Sequence, residues 1–162
     1  DHEMTPEELA IEIVDTYYAA QSDNATLSAI HLDTMAALNG TISAFADALM
    51  AHPDQYASID SVVSSSQCFG GWGCDDFRDL KDFAMGISAM SGAPADLVTA
   101  ADNLVSQLEV SITHSMAQSS HPGAYGMAIY LPTQSGYVDS AYYGASWSVN
   151  TTWDEFLQDF AD

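Results

Sequence analysis

A cysteine beside a histidine makes a thiolate nucleophile, so the first residues to weigh are Cys68 and Cys74, the chain's only cysteines, and His2, His31, His52, His114 and His121. The histidines are scattered, and neither cysteine has the context of a catalytic thiolate. Cys68-Phe69-Gly70-Gly71-Trp72-Gly73-Cys74 has a spacing that matches no common zinc signature, and no histidine lies nearby in sequence to complete one. A disulfide closing this glycine-rich loop is the better reading. By the loop-entropy model it is worth about 2 kcal/mol, and it implies an oxidising compartment. The alternative is a pair of free thiols. No Gly-x-Ser-x-Gly elbow, phosphate loop or His-Glu-x-x-His occurs. Catalytic, metal-ligating and cofactor-binding residues are therefore assigned to none of these positions.

Charge narrows the partners. Twenty-three acidic residues stand against only Arg78 and Lys81, a formal net charge of −21. Phosphate backbones need a basic surface that two cations cannot supply, which excludes nucleic acid and disfavours anionic membrane. A solvated acidic shell, as in proteins adapted to high salt, explains the acidity better than calcium binding, because no Asp-x-Asp-x-Asp-Gly loop ending in Glu is present. No leading signal peptide and no bilayer-spanning apolar run is seen. Asn24, Asn39 and Asn150 head Asn-x-Ser/Thr sequons, which suit a secreted protein, although Asn39 falls within a predicted helix.

The elements that must position any site are mostly helices. At 162 residues the chain fits one domain, residues 1–162, with a hydrophobic fraction of 48%. Thr5-Pro6-Glu7-Glu8 is a capping box, and Leu9, Ile13, Val14 and Tyr17 form the apolar face of a helix running to about Tyr18. Thr26 to Leu32 alternates, as a strand or as an extended lead-in to a helix. Asp33 is the predicted cap of a helix whose face is Met35, Leu38, Ile42, Phe45 and Leu49, with Gly40 marking a close crossing or a slight break. Further helices carry Tyr56, Ile59, Val62 and Val63; then Leu80, Phe83, Ala84 and Ile87, opening at Asp76; then Leu97, Ala101, Leu104 and Leu108. Arg78 and Lys81 lie among aspartates, and local ion pairing is the ordinary explanation.

Tyr125 to Leu131 is an uncharged run between prolines, predicted as a strand buried on both faces, with 110–116 as its hairpin partner. The tail carries Tyr137, Tyr142, Tyr143 and Trp147, and Thr152-Trp153-Asp154-Glu155 is a second capping box opening a helix that buries Trp153, Phe156, Leu157 and Phe160. The fold class is α+β and helix-rich, with a few strands. Helices can cover the faces of a strand but cannot complete its hydrogen-bond ladder.

Thr26-Leu27-Ser28-Ala29-Ile30 followed by a helix, Asp79-Leu80-Lys81-Asp82-Phe83-Ala84, Gly126-Met127-Ala128-Ile129-Tyr130-Leu131-Pro132 and Thr152-Trp153-Asp154-Glu155-Phe156-Leu157 occur in that order. In this the chain resembles the part of clostripain-family cysteine peptidases that follows the catalytic cysteine. His31 stands where that family has an acidic residue, Lys81 where an aromatic is common, and Ala128 and Leu131 where Ser and Phe are usual. The resemblance implies the C-terminal segment of a caspase-like α/β peptidase, secreted, with a helical subdomain. Its partners would be the N-terminal catalytic portion and a peptide or protein substrate. The family's His-Gly and Asp-Ala-Cys motifs have no counterpart in 1–162 and are expected ahead of Asp1, so no catalytic residue carries over. A free-standing acidic, salt-adapted extracellular domain with a binding or structural role is the alternative.

Overall fold

A computed structural model describes residues 3–21, 25–70, 76–134 and 136–162. It is helix-rich, with two small antiparallel sheets. The first helix, α1 (Pro6–Ala20), opens on the predicted box: the Glu8 N–H donates to Thr5 Oγ1 at 3.2 Å and the Thr5 N–H to Glu8 Oε2 at 2.8 Å. Strand β1 (Thr26–Ile30) follows, then a 3-10 turn over Leu32–Thr34. That turn displaces Asp33 from the capping position, and α2 (Met35–Met50) starts behind it without a side-chain cap. Gly40 marks neither a crossing nor a break, since α2 runs unbroken and a Cβ there would meet nothing within 4 Å.

Next come α3 (Tyr56–Ser65), β2 (Cys68–Phe69), β3 (Phe77–Asp79), α4 (Leu80–Ser88) and α5 (Ala95–Ser111). The helix predicted from Asp76 therefore begins four residues later, at Leu80, and its lead-in is extended. After α5 the chain forms β4 (Ile112–Ala117), β5 (Ala128–Tyr130), α6 (Ser146–Asn150) and α7 (Trp153–Ala161). Thr152 does not cap α7: its hydroxyl donates to the Ser43 carbonyl at 3.2 Å and bonds Asp47 Oδ1 at 2.9 Å, tying α7 to α2 instead.

The core lies between α2, α4, α5 and α7. Leu38, Ile42, Phe45, Leu49, Phe83, Ile87, Leu97, Leu104 and Trp153 are wholly buried there. Phe45 meets Phe83 edge-on at 5.7 Å and lies over Trp153 at 6.4 Å. In these four helices the predicted faces are the buried ones, apart from half-buried Met35, which is what a stripe at three- and four-residue spacing produces once a second helix covers it; the face predicted for α1 is not, since Leu9, Ile13 and Tyr17 are exposed and only Val14 is buried.

The strands pair differently from the expectation. β4 does not form a hairpin with the 125–131 stretch. It pairs antiparallel with β1, from Thr26 opposite Ala117 to Ile30 opposite Ile112, with an irregularity between Ala29 and Ile30. β5 pairs with β3, and β3 with β2, in the order β2-β3-β5. β5 is also shorter than predicted and buried only at Ile129 and Tyr130, while Ala128 is exposed. A hairpin was favoured by proximity in sequence, whereas the partners chosen lie about fifty and ninety residues away along the register lines.

Candidate functional site

The junction between the two sheets is built around one carboxylate. Asp79 ends β3 and caps α4, with Oδ1 accepting from the Lys81 and Asp82 N–H groups, both at 3.0 Å. Its Oδ2 accepts from the Tyr125 and Gly126 N–H groups at 2.8 and 3.2 Å, so one wholly buried side chain satisfies four backbone donors from two segments. Burial pushes the Asp79 carboxyl up, against the pull of those four N–H donors. Gly126 is held at φ +118°, where a Cβ would come within 3.0 Å of Ser28 Cβ and Ser115 Oγ. Only glycine allows this segment to lie against the β1–β4 ribbon. Ser28 Oγ then donates to the Gly126 carbonyl at 2.5 Å.

Both sheets end in open edges at this junction. The Gln118 N–H donates to the Ala25 carbonyl at 3.0 Å, which sets the ladder phase. Alternation then turns Leu27 and Ala29 toward β4, and the backbone groups of Thr26 and Ser28 to the outside. On the other sheet, the Leu80 N–H to Met127 carbonyl bond at 2.9 Å and the Leu131 N–H to Asp76 carbonyl bond at 2.6 Å set Ile129 toward β3 and Ala128 and Tyr130 outward. The Tyr130 carbonyl is covered by the Trp153 indole N–H at 2.9 Å. No backbone bond covers the outward groups of Thr26, Ser28 or Ala128 among the described residues. A cleft of about 390 Å³, lined by Thr26, Leu27, Ser28, Phe69, Gly126 and Ala128 among others, lies between these edges.

The residues considered for chemistry are dispersed. His31 lies 3.7 Å from Glu7 and 3.8 Å from Asp33, His52 bonds Asp96 at 3.0 Å, and His114 bonds Asp15 at 2.7 Å. The His121 ring stacks on Phe69 at 6.0 Å, a neighbour that sequence distance concealed. His2 and Cys74 lie outside the described residues, and Cys68 is half-buried on β2. Among the described residues no three His, Cys, Asp or Glu side chains gather as a metal site, and no helix is long and apolar enough to cross a membrane.

Of the two basic residues, Lys81 pairs outside its own segment. Lys81 reaches Glu109 on α5 at 2.9 Å, rather than a neighbouring aspartate, and sits 5.5 Å from the Tyr125 ring centroid. Arg78 is buried, donating through Nε to the Val63 carbonyl at 3.0 Å; burial lowers its pKa and the Asp76 charge opposes that. Asp79 was the residue missed. The signal was an Asp immediately before Leu80-Lys81-Asp82, the N-cap pattern, obscured by starting the helix at Asp76. Comparison with protein-family models, curated proteins and solved structures finds no match to this chain. The resemblance to clostripain-family peptidases rests on the motif residues themselves.

Proposed function

We propose that this chain is the C-terminal supporting segment of a secreted clostripain-like cysteine endopeptidase whose His-Cys dyad lies in polypeptide outside it. The observation that carries the reading is the pair of open ladders, with Thr26 and Ser28 on one side of the cleft and Ala128 on the other. A two-stranded ribbon is marginal alone, and exposed edges recruit further backbone. The order of the motif segments supports it too, because Thr26–Ile30, Asp79–Ala84 and Gly126–Pro132 are the segments that meet around Asp79 and Gly126. In this role the chain positions strands and contributes no reacting group. Its acidity would attract basic substrates without selecting among them. A Cys68–Cys74 disulfide belongs to the proposal; alkylation of two thiols in the unreduced protein would remove it.

The test is the coding sequence upstream of Asp1. His-Gly and Asp-Ala-Cys motifs there support the peptidase, and a stop or an unrelated domain refutes it. Purified by itself, the chain is expected not to cleave peptides ending in Arg or Lys, and turnover that survives thiol alkylation would contradict the dyad.

A free-standing, salt-adapted acidic domain is the second reading, favoured by a core of wholly buried side chains among the described helices. Hydrogen exchange on the isolated chain separates the two. Full protection of the outward amides of Thr26, Ser28 and Ala128 favours the free-standing domain, and rapid exchange there with a protected helical core favours the supporting segment.

A further inference from the structure

We infer that the aromatic cavity over the sheet face shared by Phe77, Ala128 and Tyr130 is a binding site for a small organic cation, an alkylammonium or a guanidinium. The cavity holds about 180 Å³ and is lined by Phe77, Tyr130, Tyr142 and Trp147, with small residues such as Ala128 and Ala145 beside them. The rings are not coplanar: Phe77 and Tyr130 meet at 67° with centroids 5.6 Å apart, and Tyr142 lies 4.8 Å from Tyr130 at 30°. Ring faces carry the negative part of the aromatic quadrupole, so aromatic rings around one small space favour a cation over a neutral group of equal size.

The surrounding charge has the matching sign. Asp139 donates its backbone N–H to the hydroxyl of the lining residue Tyr130 at 2.9 Å, while its carboxylate accepts from the Ala141 N–H. Burial raises the Tyr130 phenol, the Asp139 N–H opposes that rise, and the charges of Asp76 and Asp139 add to it. Burial, and then Asp154, raise that of Tyr142.

The chain's own described cations are engaged elsewhere. Alternation along β3 turns Arg78 to the side opposite Phe77, where it bonds Val63, and Lys81 pairs with Glu109. The inference stands on this cavity and does not depend on the peptidase reading.

The experiment is a titration of the whole chain, followed by amide NMR, at constant ionic strength. The probes are tetramethylammonium, N-acetylargininamide and the neutral isostere 3,3-dimethylbutanol. Saturable shifts from either cation at Phe77, Ala128, Tyr130 and Tyr142 to Trp147, with no such shifts from the alcohol, support the site. Tighter binding of tetramethylammonium marks a free quaternary ammonium as the source, and tighter binding of the arginine amide marks a peptide side chain. Phe77→Leu removes a ring at a half-exposed position and should weaken binding about threefold to tenfold. Trp147→Leu is the second variant if the first loses its fold. Equal response to the alcohol, shifts spread over the acidic surface, or affinity unchanged in both variants would overturn the inference.

Discussion

The helical core and the layer formed by α1, β1 and β4 are both amphipathic by pattern, yet only one of them is buried. In the core, Leu38, Phe45, Phe83, Leu97 and Trp153 are inaccessible to solvent. In α1 only Val14 is buried, while Leu9, Ile13 and Tyr17, which share the predicted apolar face, are 50%, 53% and 41% exposed. Polar clasps hold that helix to the ribbon, Glu7 near His31 at one end and Asp15 bonded to His114 at 2.7 Å toward the other. An apolar stripe records that a helix needs a cover. Whether the cover is present depends on a second layer, which α2 has in α5 and α7, and which the outer face of α1 lacks among the described residues.

The largest expected effect comes from breaking the core. Phe45→Ala should lose about 3–5 kcal/mol by cavity formation, whereas Ile13→Ala should change stability by no more than about 0.5 kcal/mol. Urea denaturation of both variants checks the contrast. A comparable loss in the two would mean that α1 is covered in solution.

Asp79→Asn tests the joint between the regions. It puts an amide N–H₂ against two of the four backbone donors, and leaving those buried groups unpaired should cost about 3 kcal/mol. A midpoint shift below a third of that would remove Asp79 as the clamp.

High pH sharpens the comparison from the core side. The Tyr56 hydroxyl bonds Asp159, and burial, that bond and the Asp159 charge raise its pKa. A phenol that stays protonated longer in the folded state contributes fully below the ordinary tyrosine value near about 10. Its contribution is lost as pH rises through that value toward the raised one. Melting temperature should therefore fall above pH ~10, and Tyr56→Phe should flatten the fall; an identical slope in the variant would discard the assignment.

The smallest effect is at the ribbon. Ser28→Ala should cost about 1 kcal/mol through the lost bond to the Gly126 carbonyl, seen as faster amide exchange in β1 with α2 and α5 unchanged.

The helices were legible in the residues, because periodic stripes at Leu38–Leu49, Leu97–Leu108 and Trp153–Phe160 are local statements about one face. Thr26–Ile30, Ile112–Ala117 and Ala128–Tyr130 were legible as extended runs, whereas Phe77–Asp79 read as helix and Cys68–Phe69 as loop; the strand partners were not legible, since Thr26–Ile30 pairs with Ile112–Ala117 across more than eighty residues and no local signal states that register. The capping box at Thr5 was correct and the one at Thr152 was not, because the Thr152 hydroxyl had partners on α2 that only packing supplies.

Composition and spacing alone determined the helix-rich α+β character, the acidic exterior and the inward faces of α2, α4, α5 and α7, all of which depend on side-chain type and short-range geometry. Tertiary structure decided which strands paired, made Asp79 a four-donor clamp and gathered Phe77, Tyr130, Tyr142 and Trp147 around one cavity. Those outcomes join residues tens of positions apart, and the energy that selects them exists only after the chain has brought them into contact.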